Sequence, residues 1–98
     1  MRRIAAVVSA NGKRLIPHVG GQYAYHFLAS QADAFLAEFP VMSGHGDTIA
    51  PQHEPLLRGE SLPVDGRISL DESPGFGLTL DESVTLLRPI TSDWSVRV

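Results

Sequence analysis

Two side chains in this sequence combine a reactive type with a setting that could use it. In IPHVGGQYAYHF, residues 16–27, His18 follows an apolar pair and a proline and precedes a valine and two glycines. Proline cannot donate to a strand ladder, so a strand ending on Pro17 leaves His18 just past its carboxyl end. An imidazole there can accept or return a proton near neutral pH, although the same residues also fit a histidine in a plain turn. Glu38 sits between Ala37 and Phe39 in FLAEF. A carboxylate inside an apolar strand is costly unless partnered, which makes Glu38 either a site residue or an exposed strand end.

Other polar groups read more blandly. His45 and His53, with Asp47 and Glu54 nearby, have the types that ligate transition metals, but their spacing matches no specific signature. His26, three residues after Tyr23, fits packing or surface better than ligation. Gly20-Gly21 before a helix could receive an anion, but two glycines are a weak signal and a simple turn explains the pair better. Asp71, Glu72, Asp81 and Glu82 resemble paired catalytic carboxylates, but neighbouring turn residues make them caps and solvated loop charges.

The elements that would hold these groups follow from periodicity. Ile4, Val7 and Val8 recur at helical spacing before Asn11-Gly12, so residues 2 to 11 are expected to form a helix with one apolar face. Leu15 and Ile16 then form a short strand buried on both faces, as in parallel sheets. Tyr23, Ala24, Phe27, Leu28 and Ser30 fit a second helix to about Gln31. Phe35 to Phe39 is expected as a second buried strand, closed by Pro40. The order helix, strand, helix, strand indicates a parallel α/β arrangement with too few strands to cover both faces of a sheet.

From residue 43 the texture becomes irregular. Leu62 to Ile68 carries a hairpin signal, because Asp65-Gly66 accepts the positive φ angles of a two-residue turn. Pro74-Gly75 marks another turn, Asp81 is expected to cap a helical turn over Glu82 to Thr85, and Leu86 to Ile90 is expected as a last strand.

A chain of 98 residues suffices for one domain, and 43% hydrophobic with 19% charged residues is a globular composition. Net charge is −3 and the basic residues occur only as doublets, Arg2-Arg3 and Lys13-Arg14, which argues against nucleic acid. The absence of cysteine excludes disulfides and thiolate metal sites. No apolar run approaches the roughly 20 residues of a membrane span. The start, MRRIAAVVSANGKR, mimics a signal peptide, but its apolar run from Ile4 to Ala10 is broken by Ser9, so a cytoplasmic location is expected.

The stretches LIPHVGGQYAYHF, FLAEF, PQHEPLLRGESLPVDGRISL and PGFGLTLDESVTLLRP, in this order, cover most of the chain. Together they resemble the carboxyl-terminal end of the acid-sugar dehydratases of the enolase superfamily (mandelate racemase and muconate lactonizing enzyme type), most of all the branch that acts on L-rhamnonate. The resemblance implies an α/β fold: a C-terminal fragment of a modified TIM-type (β/α) barrel. Residues 1–42 would be the end of the barrel, with strand seven at 13–18, strand eight at 35–39 and their flanking helices. Residues 43–98 would be an irregular, hairpin-containing return segment that packs on a capping domain. The implied reaction is a Mg²⁺-assisted dehydration: the proton α to a carboxylate is removed and the β-hydroxyl leaves, taking L-rhamnonate to its 2-keto-3-deoxy acid.

By the same resemblance His18 matches the general acid/base, and Glu38 the glutamate that binds substrate near the developing enediolate. The metal-ligand carboxylates and the aspartate that orients the histidine belong to earlier strands, so no metal ligand falls in this chain and the fragment alone is expected to be inactive. Relatives tend to read Pro-His-Gly-Ser-Ser where this chain has Pro-His-Val-Gly-Gly, which implies a different loop geometry. The implied partners are a small sugar acid and, in the full-length enzyme, further copies of itself; the fragment could self-associate. The alternative reading is a small stand-alone α+β binding module holding a metal through His45 and His53.

Overall fold

The computed structural model describes residues 1–86. Its elements run α1 (Arg2–Ala10), α2 (Gly21–Ala29), β1 (Leu57–Arg58) and β2 (Thr79–Leu80), an α/β content with one two-stranded sheet.

Helix α1 stops where the Asn-Gly pair requires. Asn11 Nδ2 donates to the Val7 carbonyl at 2.8 Å, Gly12 takes φ +64°, and the Gly12 and Lys13 amides reach back to Ser9 and Val8. These bonds satisfy carbonyls that the last turn would otherwise leave open. The expected apolar face is not what packs: Ile4 and Val7 are exposed and Ala5 is the buried residue. The Ile4–Val7 stripe has no described element to lie against.

Helix α2 is the centre of the molecule. Gln22, Ala24, Tyr25 and Leu28 are buried on one side, at the spacing of a single helical face. The turn before it depends on Gly20, where a Cβ would collide with the Ala24 methyl.

The two expected parallel strands do not form. Leu15–Ile16 and Phe35–Phe39 carry no ladder with each other or with any described residue. A pair of short parallel strands is marginal in water, and a parallel pair needs both faces covered. Here Ile16, Phe35 and Leu36 are exposed, the last two by 61% and 54%. The Arg14 guanidinium lies 3.9 Å from the Phe35 ring centroid and holds the two segments near each other without a ladder.

The sheet that does form is antiparallel and lies elsewhere. Leu57 pairs with Leu80 and Arg58 with Thr79, and the Asp81 amide extends the pairing to the Leu56 carbonyl at 2.9 Å. The Arg58 guanidinium clamps Asp81 through Nε at 2.8 Å and Nη2 at 2.5 Å. Asp81 also accepts from the Ser83 hydroxyl and amide, and these bonds with Arg58 hold its carboxyl at about 2. It therefore caps a turn closed by the Val84 amide, not a helical turn. The Asp65-Gly66 turn is as expected: φ is +49° and +73°, and Val64 and Arg67 exchange bonds of 2.8 and 2.9 Å. The Pro74-Gly75 turn also forms, closed by the Gly77 amide. Of the expected last strand, residues 87–90 lie outside the described residues.

The accessible surface is 8174 Å², whereas a compact protein of 10.6 kDa exposes roughly 5,500 Å². The radius of gyration, 17.2 Å, likewise exceeds the ~13 Å of a compact chain this long. Unpaired backbone at residues 13–16 and 35–39 should therefore exchange its amide protons fast, or be covered by self-association. Hydrogen exchange with light scattering checks this; slow exchange at Leu15–Ile16 and Leu36–Phe39 in a proven monomer would contradict it.

Candidate active site

The turn that carries His18 is fastened to the segment that carries Glu38. The His18 Nδ1 atom stands 3.0 and 3.2 Å from the two Glu38 carboxylate oxygens, and the Val19 amide donates to Oε2 at 2.9 Å. Twenty residues of chain separate the partners, and α2 spans the gap between them. The Tyr25 hydroxyl, from the buried face of α2, donates to the Glu38 carbonyl at 3.3 Å and fixes the backbone that aims the carboxylate. The two side chains singled out in the sequence are thus brought together.

Electrostatics follow from the donors. The Val19 amide is the main cause that holds the Glu38 carboxyl below its ordinary value of 4.5, with the His18 ring adding to it against a smaller opposing effect of burial. An ionised Glu38 accepts only, so a proton on Nδ1 makes the bond and Nε2 is left as the imidazole's free acceptor. The His18 side chain is 86% exposed, so that nitrogen is open to a ligand. Burial and the nearby Glu60 and Glu38 carboxylates push the Tyr25 phenol up, which keeps it a neutral donor.

Val19 stands at φ +45°, in the left-handed region. A β-branched residue there is strained by about 1–2 kcal/mol, and the Glu38 bond to its amide helps hold it. Glycine, the residue implied at this place by the family resemblance, adopts such an angle freely.

The remaining candidates fall elsewhere. His26 donates from Nε2 to the Phe76 carbonyl and meets the Phe76 ring edge-on at 5.5 Å, a packing role. His53 pairs with Glu60, with Nδ1 to Oε1 at 2.5 Å, and not with His45 or Glu54. Asp71 accepts from the Ser73 amide in its own turn. Among the described residues no group of three or more His, Cys, Asp or Glu could hold a metal ion. No helix among the described residues is long and apolar enough to cross a membrane. Tyr25 and Glu60 were not visible as site residues, although a tyrosine one helical turn before Leu28 and four after Gly21 was a legible hint of burial.

Two expectations follow. Because Glu38 has a depressed folded value, its contribution to stability is present above 4.5 and is lost as pH falls through the lower folded value. A carboxyl carbon-13 titration of Glu38, with the Val19 amide as reporter, should show both moving together below 4.5; a Val19 amide indifferent to that titration would refute the link. Val19→Gly should stabilise the chain by about 1 kcal/mol in urea unfolding, since relieved strain exceeds the added chain entropy. A loss of stability would show that the Val19 side chain, 45% exposed, matters more than its backbone angle.

No family model matches the chain. It is 37% identical over 91 residues to an L-rhamnonate dehydratase of Saccharopolyspora erythraea, covering 93% of this chain and 23% of that protein. It is 40% identical over 92 residues to a protein of Caldivirga maquilingensis provisionally named an L-rhamnonate dehydratase, covering 94% of this chain and 23% of that protein. The resemblance is thereby shown over nearly the whole chain: this is a relative of the L-rhamnonate dehydratases that spans about a quarter of their length.

Proposed function

We propose that this chain is the carboxyl-terminal part of an acid-sugar dehydratase, carrying the group that moves the proton, His18, and the carboxylate that orients it, Glu38. The observation that supports this best is the bond from His18 Nδ1 to Glu38 at 3.0 Å with the Val19 amide on the same carboxylate. A carboxylate that holds one imidazole nitrogen fixes the tautomer and presents the other nitrogen as a base.

The substrate proposed is L-rhamnonate, the acid named for both relatives. In the proposed reaction Nε2 of His18 takes the proton α to the carboxylate, electrons move into the carboxylate as an enediolate, and the β-hydroxyl departs with a proton as water. The resulting enol becomes the 2-keto-3-deoxy acid. The family resemblance gives Glu38 a place beside the enediolate. Its geometry supports orientation of His18 instead, because an ionised carboxylate cannot donate to an anion.

The Mg²⁺ that the resemblance implies would be held by carboxylates of the preceding strands; among the described residues no group of three or more His, Cys, Asp or Glu gathers around such an ion. In this reading residues 1–42 close the barrel and residues 43–98 return across it. The exposed faces of Ile16, Phe35 and Leu36 are then the surfaces that the rest of the barrel covers. The isolated chain is accordingly inactive toward L-rhamnonate.

The test is to graft residues 1–98 onto the preceding part of a full-length L-rhamnonate dehydratase and follow deuterium exchange at the α carbon and product formation. His18→Asn should lower both by about 10²–10⁴-fold. Glu38→Gln should do the same, because its amide group can donate to Nδ1 and turn the ring to the wrong tautomer, a change worth up to ~10⁴-fold in the unrelated Ser-His-Asp triad. Near-parental rates in His18→Asn would refute the proton-transfer role. Normal exchange with poor turnover in Glu38→Gln would return Glu38 to the enediolate.

A further inference from the structure

The Glu60 carboxylate is not used by the reaction above, and its setting is unusual. Its side chain is 7% exposed, yet it carries a formal charge and stands against a half-exposed histidine. It accepts from His53 Nδ1 at 2.5 Å and from the His53 amide at 3.0 Å. Burial would raise its carboxyl, but the His53 ring and the His53 and Gln52 amides outweigh burial and hold it below its ordinary value. A charge so enclosed is kept only where its bonds are complete.

Those bonds place the His53 ring on the start of α2. A Cβ built on Gly21 would lie 3.8 Å from His53 Cε1, and Gly21 opens the helix at φ +55°. One residue on, Gln22 is buried and locked to Ser61, the neighbour of Glu60: its Nε2 donates to Ser61 Oγ at 3.0 Å and its Oε1 accepts from the Ser61 amide at 2.9 Å. The segment 53–61 thus grips the turn at its helical end, through a ring beside Gly21 and two hydrogen bonds between Gln22 and Ser61. Glu38 grips the same turn at its histidine end.

We propose that Glu60 is a positioning residue for His18: by holding the His53 ring over Gly21 it sets the helical end of the 17–21 turn, and through that turn the direction of the His18 imidazole. The proposal rests on the dehydratase reading for its kinetic consequence, while its structural consequence does not. Glu60 carries the role because His53 alone, half exposed, has no other described partner to hold its ring in place. The turn also carries strain of its own, since Val19 stands at a positive φ.

The experiment uses Glu60→Gln in two settings. In the 98-residue chain, nitrogen-15 spectra of the histidine rings should show His53 protonated at Nδ1 in the parent. In the variant they should show loss of that preference, with amide shifts at Val19, Gly20 and Gly21. Changes confined to residues 52–61 would overturn the proposal. In the full-length graft, kcat should fall up to ~10²-fold with KM within about a factor of two, as expected when a reacting group is displaced and not removed. If kcat is parental while His18→Asn is inactive, Glu60 does not position His18 and the dehydratase reading stands. If His18→Asn retains full rate, the dehydratase reading fails and the nitrogen-15 result alone decides for or against Glu60. Where Glu60→Gln gives no folded enzyme, His53→Gln, which severs the same link, is judged by the amide shifts at Val19, Gly20 and Gly21 and by kcat.

Discussion

Everything else in the site depends on one carboxylate with two donors from adjacent residues. Glu38 takes the His18 ring and the Val19 amide together, and this closes a twenty-residue excursion through α2. Neither donor would be well placed without the other. Val19 stands at a positive φ at this junction. Bonds from two groups to an ionised acceptor are individually stronger than neutral ones, and together they fix an angle as well as a distance. The result is an imidazole with one nitrogen committed and the other in solvent.

The rest of the structure can be read as support for that junction. Tyr25 fixes the Glu38 backbone from below, and Gln22 and His53 hold the helix start from which Tyr25 projects. Among the described residues the buried set is small: Ala5, Gly20, Gly21, Gln22, Ala24, Tyr25 and Leu28. So little apolar burial gives weak cohesion, and polar clasps carry an unusual share of the order. The clasp between Arg58 and Asp81 does for the small sheet what Glu60 does for α2, tying two segments more than twenty residues apart.

The local features were legible because they are decided locally. Asn11-Gly12 ends α1 and Asp65-Gly66 turns the chain, each through a positive φ that few residues accept. The helices were legible for the same reason. What failed were the elements whose formation depends on a distant partner. Phe35 to Phe39 is apolar enough for a strand, but a ladder is a property of two segments, and no described neighbour completes it. The β1–β2 pair was invisible for the opposite reason: two residues a side show no periodicity, and it exists because Arg58 and Asp81 meet. His18 and Glu38 could be named from residue type and resemblance, but only the folded chain shows that they bind each other. Glu60 gave no signal, since its partner His53 looked like one of several loop histidines.

The central claim is that Glu38 binds the His18–Val19 turn. A scalar coupling across the hydrogen bond, between the Val19 amide nitrogen and the Glu38 carboxyl carbon, measures that contact without reference to activity. The account predicts a resolvable coupling at neutral pH that vanishes in Glu38→Ala. A Val19 amide with no such coupling, and with its shift unchanged in Glu38→Ala, would contradict it.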